Sequence, residues 1–226
     1  MKLNIRQVVF LIATMLLPAF HLSAQSLGKN KFADKVFYEK QGGNFSFGIR
    51  NTLSLFNHGE PSEVGTGLGG HFRLQLVDRV NTELYGDVFL SNIQNMAHRE
   101  DYHVGWSVMF YLLDTKGFQR KLTPYVVTGH CFDWTKVTIN GEGGDSQKRF
   151  SSAIQAGLGC HYNVTPRFDI SLTTQYMLHL GKEIHAEVNP EGRMEIEVHK
   201  HAGWEGHLLV NISANYKIFK VWNRKK

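Results

Sequence analysis

Residues 102–112 read Tyr-His-Val-Gly-Trp-Ser-Val-Met-Phe-Tyr-Leu. Tyr102, Val104, Trp106, Val108, Phe110 and Leu112 take every second position, with His103, Gly105, Ser107 and Tyr111 between them. A period of two places these sets on opposite faces of an extended strand. A face so apolar must be covered by protein or by lipid.

Working outward, the same period recurs seven more times from Phe45 onward. Phe45, Phe47, Ile49, Leu53 and Leu55 alternate with Ser46, Gly48, Arg50, Thr52 and Ser54. Leu68, Phe72, Leu74 and Leu76 alternate with Gly69, His71, Arg73 and Gln75. Val80, Leu84, Val88 and Leu90 stand against Asn81, Glu83, Tyr85 and Asp87. The fifth segment sets Val126, Thr128, Phe132 and Trp134 against Tyr125, Val127, Gly129 and Asp133, with His130 on the apolar parity. In the sixth, Phe150, Ile154, Ala156, Leu158 and Tyr162 oppose Ser151, Gln155, Gly157, Gly159 and His161. Phe168, Ile170, Leu172, Tyr176, Leu178 and Leu180 oppose Asp169, Ser171, Thr173, Gln175 and His179. The eighth places Trp204, Leu208, Val210, Ile212, Tyr216 and Ile218 against Glu205, His207, Asn211, Ser213 and Lys217.

Alternation alone also describes a soluble sandwich. Three features point instead to an all-β, eight-stranded antiparallel up-and-down transmembrane β-barrel. The count is even, and each segment is near the ~9–11 residues that a tilted strand needs to cross a bilayer. Aromatics of the apolar parity gather near segment ends, at Phe45, Tyr102, Trp134, Phe150, Tyr162, Phe168 and Tyr216, as interface girdles do. The ionisable groups Arg73, Glu83, Asp87, Asp169 and Lys217 all fall on the polar parity, which suits a polar lumen.

The 226 residues are 42% hydrophobic and 20% charged, so wholesale disorder is excluded. Mean hydropathy is −0.27, and no apolar run after the N-terminus approaches ~20 residues, which excludes a helical membrane protein. Val8–Phe20 is an apolar run after Lys2 and Arg6, with Ala24 at a cleavage position, so residues 1–24 read as a signal peptide. Removing its two cations lowers a net charge of +5 by two, too mild a balance to imply nucleic acid. Residues 25–44 read as a polar periplasmic leader and 220–226 as a basic periplasmic tail. Cys131 and Cys160 fall on neighbouring segments with opposite parity, which disfavours a disulfide.

Links around Asp78, Val164–Pro166 and 114–121 are tight or moderate, whereas Asn57–Glu63, Ser91–Asp101 and Val137–Arg149 read as longer loops. With the N-terminus in the periplasm, the tight links are periplasmic and the long ones extracellular. Pro61, Pro166 and Pro190 fall in connections, and Pro124 at a strand start.

The stretches TPYVVTGHCFDW (123–134) and AGLGCHYNVTPRFDISLTTQY (156–176) resemble strands of small eight-stranded outer-membrane barrels. These are the OmpX, OmpW and OmpA N-terminal-like proteins and their Bacteroidetes relatives. The resemblance spans roughly residues 45–219. It implies residence in the outer membrane of a Gram-negative bacterium, contact with outer-membrane lipids and lipopolysaccharide, and insertion by the outer-membrane assembly machinery. Such barrels end on an aromatic residue, whereas this chain continues past Phe219 with KVWNRKK, placing the assembly signal at Tyr216–Phe219.

Between segments seven and eight the alternation continues into a long extracellular hairpin, 181–203. Ile184, Ala186 and Val188 precede Asn189-Pro190-Glu191-Gly192, and Met194, Ile196 and Val198 follow. A three-residue turn there sets Glu187 opposite Glu195, His185 opposite Glu197, Glu183 opposite His199 and Gly181 opposite His201. Phe168 to the tip is about twice a bilayer crossing, so the hairpin should project above the membrane. Imidazoles and carboxylates facing each other ~5 Å apart suit a divalent ion such as zinc or copper. The plainer reading is a solvated face whose ion pairs contribute about 1 kcal/mol or less each.

Eight strands enclose a lumen that side chains fill. Arg50, Arg73, Glu83, Asp87, Gln155, Gln175, His207 and Asn211 are the expected filling. The leading function is therefore a non-enzymatic barrel acting through extracellular loops in surface binding or envelope integrity, with no cofactor beyond the candidate metal. One alternative is a lipid A hydrolase-like enzyme, for which Ser107 near His103 and His130 near Asp133 are the available groups. The other is a soluble periplasmic lipocalin-like binding barrel, which requires an apolar lumen and Arg73, Glu83 and Asp87 facing water.

Overall fold

The computed structural model describes residues 42–56, 65–93, 96–113, 120–141, 144–181, 183–188, 194–199 and 206–222. They form β1 (Asn44–Phe56), β2 (Gly65–Val77), β3 (Val80–Ile93), β4 (Ala97–Tyr111) and β5 (Leu122–Ile139). Then come β6 (Ser146–Asn163), β7 (Phe168–Leu180), β8 (Glu183–Val188), β9 (Met194–His199) and β10 (Gly206–Lys220). Eight strands close a barrel in the order β1-β10-β7-β6-β5-β4-β3-β2, and β8 with β9 make a separate two-stranded ribbon. Closure leaves no unpaired barrel edge.

Alternation decides what faces where. On β3, Glu83, Tyr85, Asp87 and Phe89 are buried in the lumen, while Leu84, Val88 and Leu90 are exposed outside. The pattern repeats round the barrel, so the exterior is a continuous belt of Leu, Val, Phe, Trp and Tyr side chains. An apolar surface of that extent is stable against lipid, not water. This overturns the lipocalin-like alternative, because Arg73, Glu83 and Asp87 lie inside and the greasy face lies out.

Glycine allows close approach inside the barrel. A Cβ on Gly105 would sit 2.5 Å from the Tyr85 hydroxyl and 2.6 Å from Cys131 Cβ, so bulk supplied by Tyr85 requires a bare backbone beside it. Cys131 lies in the lumen opposite Ala153, Cys160 lies opposite Pro124, and both thiols are free, as their parities predict. His130 does face outward, with its ring 4.9 Å from Phe132.

The start of β1, the end of β10 and the β2–β3, β4–β5 and β6–β7 links share one end, the periplasmic one by the usual asymmetry of such barrels. There the Gly43 amide donates to the Gln75 carbonyl at 2.6 Å, and the Gly43 carbonyl accepts from Val221 N at 2.8 Å. Gly43 has φ +88°, a conformation glycine adopts without penalty. The signal segment and residues 25–41 of the leader, like the tail beyond Trp222, lie outside the described residues.

At the opposite end the structure corrects two of the expected loops, while Asn57–Glu63 lies outside the described residues. β3 runs to Ile93 and β4 starts at Ala97, so most of Ser91–Asp101 is paired strand. Likewise β5 runs to Ile139 and β6 starts at Ser146, within the expected 137–149 loop. Backbone pairing persists there, but the outer face no longer needs to be apolar once it leaves the bilayer. β5 and β6, at 18 residues each, outlast β1, β2 and β7, at 13 each. Among the described residues, this end of the barrel is therefore raised into a wall on the side of β5 and β6.

Candidate functional site: a filled lumen beneath a walled rim

The lumen is cross-linked by charge. Arg50 on β1 donates to Glu83 on β3 at 2.8 Å, lies 3.1 Å from Asp87, and sits 4.2 Å above the Tyr85 ring. Arg73 on β2 donates to the other Glu83 oxygen at 2.6 Å and reaches across to Asp169 on β7 at 3.4 Å. The same Nη1 that reaches Asp169 also donates to Ser171, and Nη2 donates to Ser213, both at 3.2 Å. Gln155 Nε2 donates to the Tyr85 hydroxyl at 2.7 Å and to Ser107 at 3.0 Å, and Gln175 donates to Gln155 at 3.1 Å. Buried charges are tolerable only with such partners.

All eight expected lumen residues are buried there. Met109, Val127, Met177 and Leu209 join them on the polar parity, where they fill space between polar layers. A cavity of about 30 Å³ remains near the periplasmic mouth, between Arg73, His161, Asp169 and Lys217. Another of about 10 Å³ lies between Arg50, Glu83 and Gln175. The first has room for about two waters and the second for one at most, so neither is a channel.

Nearer the rim, Asp133 gathers Arg149 at 3.2 Å and His103 and His179 at 3.3 Å each. Thr135 donates to Asp101 at 2.7 Å, and Arg99 donates to both Asp101 oxygens at 3.1 and 2.9 Å. The alternation of Arg99 and Asp101 with His98 and Glu100 was the available signal for this layer, hidden because both parities are polar. Among the groups weighed for hydrolysis, His130 faces outward and Asp133 inward, so they do not meet. Ser107 accepts from Gln155 rather than facing His103. Ser151 does lie 3.3 Å from His179, but at Nδ1, the nitrogen that also faces Asp133. A relay needs serine and carboxylate at opposite ring nitrogens, and the other nitrogen of His179 meets His207 at 3.2 Å.

The last ribbon has the register expected from its turn. Glu183 pairs with His199, His185 with Glu197 and Glu187 with Glu195. Gly192 and the rest of the turn, and His201 opposite Gly181, lie outside the described residues, as do Trp204 and Glu205. Ile184, 3% exposed, packs with Ala97 and Val137, flanked by Ile93 and Ile196. Ala97 and Val137 belong to the lumen parity of β4 and β5, so the ribbon leans against the inner side of the wall instead of standing clear. Among the described residues, no group of three or more His, Cys, Asp or Glu is arranged to hold a metal ion.

A closed eight-stranded antiparallel barrel with a charged, side-chain-filled lumen and an apolar exterior has the fold of the small outer-membrane β-barrels. Solved structures bear this out. The chain superposes on a major outer membrane protein of Thermus thermophilus with a TM-score of 0.53 and 8% identity, over 77% of this chain and 99% of that one. Neisserial surface protein A gives 0.51 and 12%, over 78% and 98%. The attachment invasion locus protein Ail of Yersinia pestis gives 0.50 and 13%, over 79% and 100%. At these identities the likeness is one of fold. No protein-family model matches the sequence, and no curated protein does.

Proposed function

We propose that the chain is exported by residues 1–24 and works in the outer membrane of a Gram-negative bacterium as a non-enzymatic barrel. Its role is surface binding or envelope integrity, exercised at the extracellular rim. The carrying observation is the contrast between a lumen closed by Arg50, Arg73, Glu83, Asp87 and Asp169 and a rim built up on one side by β4–β6 and the β8–β9 ribbon. Transport needs an open lumen; recognition needs a raised rim. Two measurements test this. The refolded protein in planar bilayers should give no steady conductance. Replacing residues 183–199 by a short Gly-Asn-Gly link should raise the sensitivity of expressing cells to bile salts or abolish surface binding, while heat-modifiable gel migration shows the barrel intact. Steady ion conduction by the parent protein would overturn the reading.

The register of the ribbon favours a second, compatible role. Glu187 opposite Glu195 places like charges across the ribbon, a destabilising arrangement unless a cation lies between them. Glu183, His185, Glu187, Glu195, Glu197 and His199, with His201 beyond, are proposed as a zinc or copper site. Isothermal titration of the full protein with each metal should show binding that weakens at least about tenfold in His185→Ala plus His199→Ala. Absence of heat in the parent removes this role.

A further inference from the structure

The outer face of the wall carries a ladder whose chemistry changes step by step with height. Tyr102, Trp134 and Phe150 are register partners across β4, β5 and β6, all exposed, with the Trp134 and Phe150 rings 5.1 Å apart. Aromatic side chains of this kind mark the level of the bilayer interface. Two residues further up each strand, on the same outward parity, Glu100 pairs with Lys136 and Lys136 with Lys148. The next step pairs Thr138 with Ser146, whose hydroxyls lie 3.3 Å apart.

Lysines directly opposite each other repel, their Cβ atoms starting only ~5 Å apart. Glu100 offsets one of the two at most, and among the described residues neither ammonium takes part in an ion pair. Two cations sharing one outward spot, above an aromatic row and below hydroxyls, suit an anion held at the headgroup level. Resting on the outer-membrane reading above, we propose that Lys136 and Lys148 clamp a phosphate of an outer-leaflet glycolipid. Its acyl chains lie along Phe132, Trp134 and Phe150, and its sugar meets Thr138 and Ser146. The glycolipid is favoured over a phospholipid because its phosphate is carried on the acylated sugar itself, so one rigid headgroup meets the lysines and the adjoining hydroxyl step together. The bound phosphate removes the repulsion between the lysines and anchors the wall side of the barrel to the leaflet.

The test uses the full refolded protein in detergent micelles, titrated with bisphosphorylated lipid A and followed by native mass spectrometry. Lys136→Gln and Lys148→Gln should each weaken binding about fivefold and together at least tenfold, with Lys136→Arg plus Lys148→Arg restoring it. Glu100→Gln should tighten it. Chemically dephosphorylated lipid A should bind the parent no better than the double Gln variant. Equal binding of phosphorylated and dephosphorylated lipid A overturns the proposal, as does unchanged binding by the double variant. Competition by phosphatidylglycerol or inorganic phosphate at equal concentration overturns the glycolipid assignment. All these positions face outward, and heat-modifiable migration verifies the fold of each variant. A negative result here leaves the conductance and ribbon-replacement tests untouched, so the two readings fail separately.

Discussion

Glu83 is the residue on which the lumen turns, since its two oxygens serve Arg50 and Arg73 from different strands. Glu83→Ala leaves both guanidiniums without their shared carboxylate in a buried site. The expected loss is about 3–5 kcal/mol, read by equilibrium urea unfolding in lipid vesicles, with the midpoint falling and the slope unchanged. A loss below about 1 kcal/mol would show that Asp87 and Asp169 carry the charge alone. Period-two reading placed Arg50, Arg73 and Glu83 inside, because a half-buried strand exposes its parity directly. It did not reveal who meets whom. Arg73 reaches Asp169, 96 residues away, because strand tilt and stagger bring those positions level across the barrel.

The ribbon and the wall behave as elements with separate legibility. Turn chemistry at Asn189–Gly192 was sufficient to set Glu187 against Glu195, because a short loop dictates its own register. The docking of the ribbon on Ala97 and Val137 was not legible, since its partners lie on strands whose hydrophobic pattern breaks above the bilayer. The extent of β5 and β6 was not legible for the same reason: beyond Trp134 the outer face of β5 turns polar and its apolar residues, Val137 and Ile139, move to the inner parity, while Ser146–Arg149 of β6 is polar on both faces, and pairing continues throughout. Ile184→Ser should free the ribbon. Limited proteolysis should then cut between residues 183 and 199 several-fold faster, while the barrel keeps its heat-modifiable mobility. An unchanged cutting rate would mean that Ile184 does not hold the ribbon to the wall.

At the scale of the whole molecule the decisive quantity is which face meets lipid. Leu158 is 62% exposed and lies on β6 between the girdle positions Phe150 and Tyr162. Leu158→Arg should cost about 2–4 kcal/mol in folding into vesicles, as a charge near the bilayer centre does. In a barrel surrounded by water the same change would be close to neutral, so vesicle-folding titration separates the two environments. From the sequence alone came the strand count, the parity of each strand, the polar lumen, the unbridged cysteines and the register of the last ribbon. Each is set locally, by a period of two or by a turn. Tertiary structure decided the ion-pair partners, the raised rim at β5 and β6, the seat of the ribbon and the meeting of Lys136 with Lys148 above an aromatic row. Those depend on stagger between strands and on where the bilayer ends, and neither is written in any single stretch of the chain.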